Sequence, residues 1–125
     1  MIVYCCADLI FATKISSTAQ VLGIVSRPVR NANMLANRLD QVDDGKPCDA
    51  VDALLLDLEA GDHTLDMIDQ ARKHDPNLPV IVFAPHVQVD RLEQARQRGA
   101  TSVLPRGAFT AQLPDLLATL AKTSG

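Results

Sequence analysis

Three features of the sequence predict an α/β domain built on a parallel sheet. Short apolar runs alternate with segments of helical period, five times over. The run Val80-Ile81-Val82-Phe83 is apolar throughout, and two apolar runs end abruptly in a carboxylate, at Asp8 and at Asp57. Alternation of this kind is the signature of repeated βα units, and a strand covered on both faces loses the in-out pattern of a half-exposed one. Acids at strand ends matter because ligands of open α/β sheets bind in the crevice beyond the carboxyl ends of the strands. At 125 residues the chain reads as one domain, residues 1–125, large enough to bury about two thirds of the surface that its unfolded form exposes.

The first strand is expected over about Ile2 to Cys6, and the helix after it carries Phe11, Ala12, Ile15, Ala19 and Leu22 on one face until Gly23 stops it. Strand two covers about Ile24 to Val29, where Pro28 suits only an edge strand or a strand end. A polar helix from about Asn31 keeps Leu35 and Leu39 inward, and Asp43-Asp44-Gly45-Lys46-Pro47 breaks it. The third strand ends at Asp57, and the following helix places Leu65, Ile68 and Ala71 on the core side. Asn77-Leu78-Pro79 leads into strand four; helix four runs from about Val87 to Arg98, Gly99 ends it, and strand five is Thr101 to Leu104. In the last helix Leu113, Leu116, Leu117 and Leu120 follow the helical period, and Pro114 is expected only in its first turn.

Composition narrows the function. A net charge of −3, with one Tyr, three Phe and no Trp, argues against nucleic-acid binding. The basic residues Arg91, Arg96, Arg98 and Arg106 are interleaved with Asp90 and Glu93, a mixed surface and not a track for a phosphate backbone. No apolar run approaches the ~20 residues of a membrane span, and no basic leader is evident. Three cysteines without Cys-x-x-Cys spacing fit a reduced, cytoplasmic protein. Cys5 and Cys6 read as small core residues on opposite faces of a central strand, and Cys48 as a loop thiol. The six glycines are scattered, so no Gly-rich phosphate loop exists.

With this order and length, the residues at the strand ends resemble the receiver domain of bacterial two-component response regulators, over essentially the whole chain. The tone of Asp8-Leu9-Ile10-Phe11 and Pro85-His86-Val87 looks like the small stand-alone receiver-like proteins of bacteria. The resemblance implies a flavodoxin-like (βα)5 fold of strand order 2-1-3-4-5. It also implies a phospho-accepting aspartate at Asp57 and a magnesium ligand at Asp8, with a Ser/Thr hydroxyl expected at Ala84 and a Lys at Arg106. Gly99-Ala100-Thr101 looks like the opening of strand five.

Several positions depart from that pattern. Ala7 stands where a first acid belongs, Ala84 where the hydroxyl belongs, Arg106 where the Lys belongs and Val103 where a switch aromatic is common; Ala60-Gly61 replaces the usual Met-Pro step. Magnesium is usually held by one or two carboxylates plus waters, so Asp8, Asp57 and the carbonyl of Glu59 would bind it, weakly. Losing a preorganised donor to a transferring group costs on the order of 10² to 10³ in rate in related chemistry, which makes Ala84 the more damaging loss. Arg106 keeps the positive charge and can grip carboxylates by two bonds.

Each candidate has a plainer alternative. Asp57 is either acceptor and metal ligand or an inherited carboxylate paired with Arg106. Asp8 is either a metal ligand or the N-cap of the first helix. Glu59 and His86, two residues beyond Asp57 and Ala84, either pair over the pocket or are solvated. His63 and His74 read as loop and helix-end residues. The favoured reading is a receiver-like signalling module with a degenerate pocket that acts through protein contacts and is not an enzyme. The alternatives are a phosphorylation-competent regulator that takes phosphate on Asp57 with Mg2+ from a histidine kinase, and a small α/β ligand-binding protein or enzyme. The partner, a kinase or a downstream effector, or a second copy, is expected on helix four, strand five and helix five, where Gln88, Arg91, Gln94 and Arg98 meet Ala111, Pro114, Ala118 and Ala121.

Overall fold

A computed structural model describes residues 1–43, 45–85 and 89–121. The element order is β1 (Ile2–Cys5), α1 (Leu9–Val21), β2 (Ser26–Pro28), α2 (Ala32–Leu39), β3 (Val42–Asp43), β4 (Lys46–Pro47), β5 (Ala53–Asp57), a 3-10 turn (Leu58–Ala60), α3 (His63–His74), β6 (Val80–Ala84), α4 (Val89–Gln97), β7 (Ser102–Pro105) and α5 (Arg106–Leu120). The main sheet is parallel, in the order β2-β1-β5-β6-β7. Leaving out the small β3–β4 hairpin, that is the predicted order 2-1-3-4-5, in a flavodoxin-like three-layer arrangement.

The strands sit where apolar residues run without interruption. β1, β5 and β6 are buried along their whole lengths, because helices cover both faces. On one face Leu35, Leu65, Ile68, Ala71 and Ala95 from α2, α3 and α4 pack on Val3, Leu54, Leu56 and Val82. On the other, Phe11, Ile15 and Ala19 of α1 and Phe109, Leu113 and Leu117 of α5 pack on Ile2, Tyr4, Leu55 and Ile81. The period-2 side chains of each strand thus feed two separate cores.

Helix ends follow local chemistry. Asp8 caps α1 by accepting from the amides of Ile10 and Phe11, at 2.9 and 3.2 Å, and Gly23 follows the last turn at φ 73°. Asn31 caps α2, accepting from the Met34 amide at 2.8 Å.

Four expectations need correcting. The first strand stops at Cys5, so Cys6 leaves the sheet. The second strand is three residues long and lies at the edge, where Pro28 takes the last place and the Val29 amide resumes pairing with the Tyr4 carbonyl at 2.8 Å. The breaker after α2 is itself a hairpin, Val42 and Asp43 against Lys46 and Pro47. Finally, Pro114 lies in the interior of α5, because the helix starts at Arg106 directly after β7. A proline there deprives the Thr110 carbonyl of its helical donor; Pro114 is on the exposed side, where water can serve that carbonyl.

One side chain that sequence patterns did not single out ties the right-hand half together. Arg72 of α3 donates from Nε to the Gly99 carbonyl at 2.7 Å, from Nη2 to Thr101 Oγ1 at 2.9 Å, and from Nη1 to the Leu78 carbonyl. Thr101 Oγ1 in turn accepts from the Val80 amide at 3.0 Å, so one guanidinium joins α3 to the starts of β6 and β7. Charged hydrogen bonds contribute about 1.5 to 3 kcal/mol each before losses are shared. Arg72→Ala should therefore lower the stability by about 2 to 3 kcal/mol in urea unfolding, and Arg72→Lys should recover only part of it, since an ammonium lacks the planar fork.

Candidate functional site

Asp57 ends β5 at the centre of the sheet and is 0% exposed. A carboxylate removed from water must have its oxygens met, and here the chain itself meets them. Oδ1 accepts from the Glu59 amide at 2.9 Å, which makes Asp57 the cap of the 3-10 turn. Oδ2 accepts from Cys6 Sγ at 3.4 Å and from Arg106 Nη2 at 3.5 Å. Gly61, at φ 131°, turns the chain from that 3-10 turn into α3; a Cβ there would lie 2.7 Å from His63 Nδ1.

Arg106, the first residue of α5, is the hub. Its Nη2 also donates to Glu59 Oε2 at 3.0 Å, and its Nη1 lies 3.9 Å from Asp8 Oδ2. Its Cζ sits 5.0 Å above the Phe11 ring, a cation–π arrangement. Phe11 belongs to a cluster with Phe83 and Phe109, at centroid distances of 4.1 to 5.8 Å, and these are the chain's three phenylalanines. Aromatic rings thus support the guanidinium from below while carboxylates surround its outer end.

The predicted site residues divide clearly. Asp8, Asp57, Glu59 and Arg106 come together. Ala84 ends β6, wholly buried and in the strand next to Asp57, with a methyl group where a hydroxyl is expected. Ala7 is exposed. His86 lies outside the described residues, as do Val87 and Gln88; Glu59 has Arg106 as its partner. Asp8 is the N-cap of α1 through one oxygen, and its other oxygen turns toward Arg106.

Cys6 corrects the sequence reading. It is not a core residue of the strand but a half-buried thiol at the edge of the site, bonded to Asp57 and to the Asp8 carbonyl. Burial pushes its pKa up to about 12; a backbone hydrogen bond at Asp8 pulls the other way and the Asp57 charge adds to the rise. Cys5, in contact with His63 Nε2 at 3.9 Å, is pushed up to about 11 by burial and the same charge. Neither is an activated nucleophile.

No protein-family model matches the chain, and no curated protein matches it by sequence. Solved structures do. The receiver domain of NtrX from Brucella abortus superimposes with a TM-score of 0.76 at 17% identity, over 99% of this chain and 100% of that one. The chain has the receiver-domain fold. A response regulator receiver domain protein from Clostridium thermocellum gives a TM-score of 0.75 at 16% identity, over 95% and 91% of the two chains. A response regulator from Burkholderia pseudomallei, solved with a phosphorylated aspartic acid, calcium ion and citrate, gives 0.70 at 20% identity, over 97% of this chain and 66% of that one.

Within this receiver fold the acid cluster does not fit a hexacoordinate cation. Magnesium demands near-octahedral oxygen ligands at about 2.0 to 2.1 Å. Among the described residues no group of three or more His, Cys, Asp or Glu side chains is arranged to hold a metal ion. One oxygen of Asp8 and one of Asp57 are committed to backbone amides, and a guanidinium lies between the others.

The raised thiol predicts a pH dependence. A group whose folded pKa lies above its unfolded value stabilises the fold fully below the unfolded value and loses that contribution as pH climbs to the folded one. For Cys6 the window runs from 9.0 to about 12. Cys6→Ala should show a shallower alkaline loss of stability than wild type across that window in denaturant titrations; parallel curves would refute the assignment.

Proposed function

We propose that the chain is a receiver-like signalling module that does not take up a phosphoryl group and acts through protein contacts. One observation carries this: Asp57 is 0% exposed, and both its oxygens are held by the chain's own donors. An acceptor carboxylate needs a free oxygen in line with the incoming phosphorus and a preorganised donor for the charge on the transferring group. Here the oxygens are engaged, and Ala84 offers no donor.

The competing reading is a working regulator that is phosphorylated on Asp57 by a histidine kinase with Mg2+, as the Burkholderia neighbour's phosphorylated aspartic acid suggests. Incubation with acetyl phosphate and magnesium separates the two. Intact-mass measurement should find no phosphoryl adduct, and Mg2+ should bind with a dissociation constant no tighter than about 1 mM, the weak end of oxygen-ligand sites. An adduct on Asp57 would replace the first reading with the second. An enzyme or small-ligand reading finds less support, since the one Cys–His contact described, Cys5 with His63, pairs a histidine with a buried thiol of raised pKa.

For the partner, a second copy meeting the outer flank of α5 is proposed. Ala111, Pro114 and Ala118 are exposed there and Ala121 half-exposed, and small uncharged residues allow close approach. The α4 share of the expected face is smaller, because Arg91 turns to Asp62 at 3.1 Å and Arg98 to Asp66 and Asp69 at 3.2 and 3.1 Å, all toward α3. The double variant Ala118→Glu, Ala121→Glu should reduce self-association in light scattering without shifting thermal stability. An unchanged mass distribution would remove this face from consideration.

A further inference from the structure

We propose that the Arg106 guanidinium is the resident cation of the acid cluster, a covalently held charge in the place of a soluble divalent ion. The inference rests on the reading of a pocket that takes no phosphoryl group, and it concerns what that pocket holds instead.

Three carboxylates reach the cluster from separate places in the chain: Asp8 after β1, Asp57 at the end of β5, and Glu59 in the 3-10 turn. Carboxylates so gathered repel each other unless a cation joins them. Asp8 and Asp57 each give one oxygen to backbone amides. The opposite oxygens, Asp8 Oδ2 and Asp57 Oδ2, turn with Glu59 Oε2 toward the same guanidinium, at 3.9, 3.5 and 3.0 Å.

The guanidinium is also fixed from behind. It rests on Phe11, and its Nε is buried with no hydrogen-bond partner. Burying a donor unmet is costly, and the side chain accepts that cost in a pose that sends both Nη groups to the acids. A guanidinium tolerates partners spread over these distances, whereas magnesium would require a short, regular shell. The charge balance of the cluster is therefore set when the chain folds, and metal concentration has no part in it. Take the guanidinium away, and three carboxylate oxygens face one point with nothing between them.

The test compares wild type with Arg106→Met, using Mn2+ bound-ion measurements by electron paramagnetic resonance and melting curves in MgCl2 against NaCl of equal ionic strength. Wild type should melt at the same midpoint in both salts. Arg106→Met should melt lower in NaCl, regain part of the difference in MgCl2, and bind Mn2+ about tenfold or more tighter than wild type, because ligand charge and its freedom from competing cations tune such sites. Equal Mn2+ affinity in the two proteins overturns the proposal, as does a wild type that binds as tightly as the variant. If Arg106→Met is unfolded in NaCl, recovery of its helical circular dichroism on adding MgCl2 supports the proposal, and no recovery overturns it. A phosphoryl adduct on wild type would defeat the reading of the pocket, while a metal-blind Arg106→Met with no adduct on wild type would defeat only this inference.

Discussion

A carboxylate buried at the middle of a parallel sheet constrains its whole surroundings, and Asp57 is such a group. The cost of leaving it unmet would be several kcal/mol, and three neighbouring segments contribute to satisfying it. The chain must turn immediately after β5 to bring the Glu59 amide back to Oδ1. β1 must end one residue early so that Cys6 can reach Oδ2. α5 must begin without a loop so that Arg106 lies over the pocket, and Phe109, one turn further on, then lands in the aromatic cluster that supports it. The early end of β1 and the immediate start of α5 are thus parts of a single arrangement.

The order of the strands came from the resemblance to receiver domains, but the central strands themselves were legible because continuous apolar runs leave little choice: Val80 to Phe83 or Leu54 to Leu56 cannot be exposed without large loss. Elements stabilised by backbone pairing alone were not. The β3–β4 hairpin consists of two-residue strands with Lys46 and Pro47 exposed, and nothing in its hydrophobic pattern separates it from an ordinary break. Pro114 misled for the opposite reason: propensity favoured the first turn, but Leu113 and Leu117, both fully buried, together with Phe109 hold the helix through it.

For the site, residue types at strand ends pointed to Asp8 and Asp57, and the resemblance to receiver domains added Arg106. Their bonding pattern was not readable, because it depends on fractions of a turn. Glu59 is two residues past a strand end, and only the tight 3-10 turn decides that its side chain folds back onto Arg106. Cys6 was read by strand alternation, a rule that ceases to apply one residue beyond the strand. Arg72 left no signal at all, since its acceptors are backbone carbonyls, which carry no residue-type pattern, and a hydroxyl 29 residues away.

The two helical layers differ in kind, and that bears on how a pocket without a hydroxyl would communicate. Both layers bury a core against the sheet, but α3 and α4 are also joined by exposed ion pairs worth about 0 to 1 kcal/mol each, whereas α1 and α5 pack beneath Arg106. Val103, in the place of a switch aromatic, is half-buried against the α2–α3–α4 core, and Ala84 has no polar atom to move. The remaining mechanical connection is α5 itself, whose first residue is the hub of the acid cluster. At 1.5 Å per residue it carries that end about 22 Å away, past the exposed Ala111 and Ala118. For coupling to run along it, α5 would need two discrete positions that both ends bias. A ligand or partner that drew the guanidinium from its carboxylates would also have to lift it from the Phe11 ring, which is packed against Phe83 and Phe109.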